Sequence, residues 1–143
     1  MEKPLILIVD DDEMFTWINK KVLRSTSEDI EVDICSNGKQ ALRYLELNAG
    51  SPEFLPDIIL LDINMPVMDG WEFLEDYEKI VRNLKRQPKI WVLSSSIVPE
   101  EIERANKHSL VAGYISKPFL KEDSEMIARN AFLSRSKRIT KAG

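Results

Sequence analysis

Short apolar runs alternate with amphipathic stretches along most of this chain. Leu5 to Val9 is wholly apolar and reads as a strand buried on both faces. Asp10-Asp11-Asp12-Glu13 follow, and Met14, Trp17, Ile18, Val22 and Leu23 then recur at helical spacing, so a helix starts near Glu13. Ile30 to Cys35 alternates as a second strand. After the turn Ser36-Asn37-Gly38, Ala41, Leu42 and Leu45 mark a second helix ending near Leu47. Asn48 to Pro56 is a polar loop punctuated by Gly50, Pro52 and Pro56, and it carries no recognisable chemistry. Asp57 to Asp62 forms a third strand that stops abruptly at a carboxylate, with Asn64, Met65 and Pro66 in the turn beyond it. From Asp69 a third helix carries Phe73, Leu74, Tyr77, Ile80, Val81 and Leu84 on one stripe.

Ile90 to Leu93 is a fourth buried strand and ends in Ser94-Ser95-Ser96. Pro99-Glu100-Glu101 opens a weakly apolar helix to about Ser109, with Pro in its first turn. Gly113 to Ser116 is a short fifth strand running into Lys117-Pro118-Phe119. A last helix from about Lys121 to Leu133 precedes a basic tail, Ser134 to Gly143.

Strand and helix thus alternate five times. That pattern predicts an α/β fold, a doubly wound parallel sheet with right-handed crossovers and strand order 2-1-3-4-5. The ends of strands 1 and 3 then lie side by side at the switch point, where such sheets bind ligands. Residues 4–133 are expected to form one domain and residues 134–143 a solvated tail. A length of 143 residues suits that, and 43% hydrophobic with 31% charged residues is ordinary for a globular protein. The net charge of −4 argues against a nucleic-acid surface. Cys35 is the single cysteine, a small buried hydrophobe by its position, and excludes an intrachain disulfide. Met1-Glu2-Lys3-Pro4 leads straight into the first strand, with neither a signal peptide nor a membrane span. A cytoplasmic protein is expected.

Candidate chemistry collects at the strand ends. Strand 1 ends in Asp10 and Asp11, strand 3 in Asp62, strand 4 in Ser94 and strand 5 in Lys117. One acid would suffice to cap the first helix; four in a row repel one another unless a cation sits among them. Three acids with a backbone carbonyl make a hard oxygen site suited to Mg²⁺ and its waters. A hydroxyl and a lysine opposite suit an anion, and a phosphoryl group fits between the two sides.

With these residues in order, the sequence resembles the receiver domain of two-component response regulators from about Pro4 to Leu133. The acidic pair matches Asp10 and Asp11, and the phosphoacceptor matches Asp62 within Leu-Asp-Ile-Asn-Met-Pro-Val-Met-Asp-Gly. The switch hydroxyl matches Ser94, where threonine is commoner; the lysine matches Lys117 and the switch aromatic Tyr114. The resemblance implies a flavodoxin-like five-stranded sheet flanked by five helices, and a stand-alone receiver of the chemotaxis-regulator type. It implies that Asp62 takes a phosphoryl group from a partner histidine kinase or histidine phosphotransfer protein. Mg²⁺ would be held by Asp11, Asp62 and the Asn64 carbonyl, with Asp10 acting through water. Ser94 and Tyr114 would then reshape the face of helix 4, strand 5 and helix 5 for a downstream protein, with phosphorylation-dependent homodimerisation left open. A cis Lys117-Pro118 bond is a further implication. The domain would be no enzyme beyond its own phosphotransfer and autodephosphorylation.

Competing readings are a constitutive scaffold and a phosphatase with an aspartate nucleophile. The scaffold requires loss of an acid, the hydroxyl or the lysine, and all are present. The phosphatase requires a second carboxylate two residues after Asp62, where Asn64 stands. Trp17, Trp71 and Trp91 are expected to pack in or against the core, His108 to lie on a solvated helix face, and the loop from Asn48 to Pro56 to bear on partner choice. Ser95, Ser96 and Asn64 are placed to tune phosphate lifetime through water access. Arg135, Lys137, Arg138 and Lys141 belong to the solvated tail.

Overall fold

The computed structural model describes the backbone of residues 3–142 and the side chains of residues 3–136. Five strands, β1 (Leu5–Val9), β2 (Glu31–Cys35), β3 (Ile58–Leu61), β4 (Lys89–Ser94) and β5 (Val111–Ser116), form one sheet in the order β2-β1-β3-β4-β5. Every neighbouring pair is parallel. Five helices connect and follow them: α1 (Glu13–Thr26), α2 (Gly38–Leu47), α3 (Gly70–Ile80), α4 (Pro99–Lys107) and α5 (Lys121–Ala142).

The wholly apolar sequences of β1 and β3 follow from their place at the centre of the sheet, where both faces are covered. On one face Leu7, Val9, Ile59 and Leu61 meet Ala41, Leu42 and Leu45 of α2 and Phe73, Leu74 and Tyr77 of α3. On the other, Ile6, Ile8, Ile58 and Leu60 meet Leu23 of α1 and Ile127, Ala128 and Ala131 of α5. Each such aliphatic side chain removed from water contributes about 1.5–3 kcal/mol, so the two cores hold β1 and β3 rigid beneath whatever their ends carry. Helix α4 buries only Ala105 and is held the least.

Four expectations are corrected, the last of them at His108. The apolar stripe on α1 faces the sheet only at its far end, through Val22 and Leu23: Met14, Trp17 and Ile18 are exposed, and Trp17 packs under the Lys21 ammonium instead of in the core. The inward face is Thr16, Asn19 and Leu23, and two polar residues on it hid the true phase of the helix from a hydrophobic pattern. Strand β5 begins at Val111 rather than Gly113, and Gly113 is an interior position of the strand, opposite Trp91 in the ladder, where a Cβ would come within 2.3 Å of the indole. Helix α5 continues past Leu133 to Ala142, and Arg135 is buried. The side chains of Lys137, Arg138 and Lys141 lie outside the described residues.

Arg135 belongs to a network the sequence did not announce. Asp57, just before β3, is buried and accepts from Leu5 N–H at 2.9 Å, Arg86 Nη1 at 2.9 Å and Arg135 Nη2 at 2.9 Å. The carboxylate thus ties the start of β1, the segment before β4 and α5 at Arg135 to the edge of the sheet opposite the acidic strand ends. His108 does not lie along a solvated face; it ends α4, half-buried, and its Nδ1 accepts from Leu110 N–H. The loop after α2 includes a single 3-10 turn, Pro52–Phe54, and anchors Leu55 in the core. No helix among the described residues is long and apolar enough to cross a membrane.

Candidate functional site

The run of four acids divides into two jobs. Asp12 caps α1, its Oδ1 accepting from Phe15 N–H at 3.0 Å, and Glu13 occupies the first turn. Asp10 and Asp11 are left to the strand end. Asp10 N–H makes a further rung to Cys35 at 3.1 Å, and Asp62 N–H makes one to Val9 at 2.9 Å. Adjacent parallel strands therefore deliver both carboxylates to the same edge of the sheet, and carboxylate oxygens of Asp10, Asp11 and Asp62 lie within 4.8 Å of one another.

Asp10 and Asp62 are buried, whereas Asp11 is exposed and opens the cluster to water. Lys117 supplies the cation that the crowding demands. Its Nζ is 2.9 Å from Asp10 Oδ2 and 3.7 Å from Asp62 Oδ2. It also sits 4.1 Å above the ring of Phe15, an aromatic absent from the predicted stripe that restrains the ammonium from the α1 side. Burial, with the Asp10 charge next in size, pushes the Asp62 carboxyl up to about 6; Lys117 and the Asn64 N–H oppose the rise, and Asp11 adds to it. Asp62 is thus an acid held near neutrality, with a lysine beside it and two more carboxylates within reach.

The remaining predicted residues surround this cluster without all joining it. Asn64 is exposed, and its N–H points to Asp62 Oδ1 at 3.4 Å. Ser94 is fully buried at the end of β4, and its carbonyl accepts the Lys117 N–H at 2.9 Å. Tyr114 lies outside the cluster, half-buried, with its hydroxyl donating to the Ser96 carbonyl at 2.7 Å. The Lys117-Pro118 bond is cis.

The loop from Asp62 to α3 is tightly determined. Asp69 and Glu72 form a reciprocal capping box at the start of α3. Gly70 N–H donates to Ile63 O at 2.8 Å, and a Cβ at Gly70 would lie 2.7 Å from Ile63 Cα and 2.8 Å from Asp62 O, so only hydrogen fits there. Between them Val67 adopts a φ of 70° in a γ-turn closed by Met68 N–H to Pro66 O at 2.8 Å. A β-branched residue in that region stores backbone strain beside the acidic cluster.

All three carboxylates offer hard oxygen donors, one from the solvent side, and Asp62 carries repulsion from Asp10 and Asp11 that Lys117 offsets only in part. That donor set fits Mg²⁺ with a partial water shell and fits poorly any softer metal.

Fold and site together define an α/β module with an acidic cluster and a lysine at the carboxyl ends of its parallel strands. Residues 6–129 match the response regulator receiver domain family, and the chain belongs to that family. It is a receiver of two-component signalling, a family in which phosphorylation on aspartate and Mg²⁺ binding are typical. The chain is 27% identical over its whole length to response regulator Rre1 of Synechocystis, of which it spans 58%. It is 30% identical over 119 residues to the probable methanogenesis regulatory protein FilR2 of Methanothrix harundinacea, covering 83% of this chain and 75% of that one. Among solved structures, a two component response regulator from Cytophaga hutchinsonii superposes with a TM-score of 0.80 at 27% identity, covering 93% of this chain and 99% of that one. The chain spans only about a third of the protein-glutamate methylesterase of Treponema denticola that it also matches (34%).

Proposed function

We propose that this receiver accepts a phosphoryl group on Asp62 from a phosphohistidine of a partner kinase or phosphotransfer protein and signals through the face made by α4, β5 and α5. The observation that carries the reading is the Asp62 carboxylate, buried at a strand end among Asp10, Asp11 and Lys117. In the transfer an Asp62 carboxylate oxygen attacks phosphorus, the P–N bond of the donor breaks, and the electron pair returns to the imidazole. The product is an aspartyl phosphate, a mixed anhydride whose hydrolysis returns the carboxylate and inorganic phosphate.

Asp11, Asp62 and the Asn64 carbonyl, with Asp10 through water, are the groups that would hold Mg²⁺, which when bound neutralises charge on the phosphoryl oxygens. The chain's own residues supply the rest. Lys117 is positioned by Asp10 and Phe15 beside Asp62 and pairs with phosphoryl charge as it arrives. The Ser94 hydroxyl donates to a phosphoryl oxygen, and its movement biases Tyr114 and the β4–α4 loop. Asn64, standing where a phosphatase places its general acid, leaves no carboxyl to protonate a leaving group, which favours a switch over turnover of external esters. The downstream partner in this reading is a protein reached within the cytoplasm, with a second copy of the domain as one form it takes.

Intact-mass analysis after incubation with Mg²⁺ and a small acyl phosphate tests the reading. One added phosphoryl group, dependent on Mg²⁺ and absent from Asp62→Asn, is expected. Equal labelling of both proteins would overturn it.

A further inference from the structure

Beside the two main cores lies a third, smaller one. Ile63, Val92 and Ala105 are buried together, with Trp71 and Tyr114 packed against them. Ile63 directly follows Asp62, and Ala105 is the one residue that α4 buries. Trp71 enters from the first turn of α3 and is half-buried. Over its ring sits the guanidinium of Arg104, with Cζ 4.0 Å from the ring centroid. Helix α4 and the loop that carries Asp62 therefore meet in this cluster.

The two sides of the stack are held very unequally. The turn that bears Trp71 is closed by the Asp69–Glu72 capping box and by Gly70 N–H on the Ile63 carbonyl at 2.8 Å. Arg104 is exposed and belongs to the least anchored helix. The first turn of α4 is held by the Ser96 hydroxyl, which stands between Val98 N–H and Glu101. Its second turn has Ala105, the Arg104 stack, and an ion pair of Lys107 with Glu103 that lies in solvent and contributes little. A cation is attracted to an indole only within about 6 Å of the centroid, so a shift of α4 by roughly 2 Å away from α3 dissolves the contact.

We propose that Arg104 and Trp71 form an autoinhibitory latch, which holds α4 against α3 in the unphosphorylated chain and opposes acceptance of phosphate on Asp62. The proposal rests on the phosphoswitch reading of Asp62. A contact made in the resting arrangement and lost in the phosphorylated one lowers the affinity for the phosphoryl group by the free energy of that contact, whatever route carries the movement. For an exposed cation over an indole, that factor is about two- to fivefold.

The test uses the full chain, with beryllofluoride and Mg²⁺ as the phosphoryl probe and hydrogen exchange read along α4 at rest. Arg104→Ala, at an exposed position that leaves the core intact, is expected to speed exchange in α4 about two- to fivefold and to bind beryllofluoride tighter by a similar factor. Arg104→Lys, which keeps a cation over the ring, should fall closer to wild type. Lys107→Ala, which removes a different cation of α4, should bind beryllofluoride as wild type does. In a Trp71→Leu background, Arg104→Ala should change neither quantity further. An affinity unchanged or lowered in Arg104→Ala overturns the proposal, as does an equal gain in Lys107→Ala, which would trace the effect to charge alone. Failure of wild type to bind beryllofluoride overturns the Asp62 reading instead, and exchange along α4 then still decides whether the stack restrains the helix.

Discussion

Replacing Asp62 by Asn should stabilise the protein at neutral pH in the absence of divalent cations. The carboxyl is pushed from 3.8 in the unfolded chain to about 6 in the fold, first by burial and then by the Asp10 charge. A group whose folded pKa lies above its unfolded value favours the fold when protonated. Its stabilising contribution is complete below pH 4 and is lost as the pH rises through about 6. Above that pH the ionised carboxylate works against folding. Roughly two units correspond to at most about 3 kcal/mol at about 1.4 kcal/mol each, and water entering beside exposed Asp11 reduces this to about 1–2 kcal/mol. Asn keeps the shape and discards the charge, so the variant should gain about 1–2 kcal/mol at pH 7.5 and nothing at pH 4. Urea unfolding with a chelator present, repeated between pH 4 and 8, measures the difference directly. Added Mg²⁺ should then stabilise the wild type more than the variant, closing the gap. A difference that is independent of pH, or a variant less stable at pH 7.5, would refute the electrostatic account of the site.

Other outcomes follow from contacts already described. Asp57→Asn strands two buried guanidinium groups and should cost about 3–5 kcal/mol, lowering the urea midpoint by more than about 1 M; an unchanged midpoint would show that the network carries no weight. Gly70→Ala places a methyl 2.7 Å from Ile63 Cα and should cost about 1–3 kcal/mol while slowing phosphate uptake, because the backbone that must shift carries Asp62. Wild-type uptake in Gly70→Ala, measured by intact mass over time, would count against a preorganised loop.

Much of the sheet was legible because its central strands are uninterrupted apolar runs, and such runs ending in acids place those acids at one edge whatever the details of packing. Asp10, Asp11, Asp62 and Lys117 could be grouped from strand order alone, and they do converge. Helix α1 was misread for a physical reason. Its first turns point Thr16 and Asn19 inward while Met14, Trp17 and Ile18 face solvent, so a pattern based on apolarity placed only Val22 and Leu23 correctly. Phe15 was missed with it, although an aromatic one turn into the helix after an acidic strand end is the available signal for a partner to Lys117. Asp57 and Arg135 were hidden differently. A charge beside an apolar strand and a charge in a basic terminal run each look solvated until the fold brings them together across 78 residues of sequence.

The measurement that bears most directly on the central claim is chemical trapping of the phosphorylated residue. The protein is incubated with Mg²⁺ and an acyl phosphate, then reduced with borohydride, which converts an aspartyl phosphate to homoserine, and is digested for peptide mass spectrometry. The account predicts homoserine at position 62 alone, formed only when both Mg²⁺ and the phosphodonor are present. Homoserine at Asp10, Asp11 or elsewhere, with Asp62 unmodified, would contradict it.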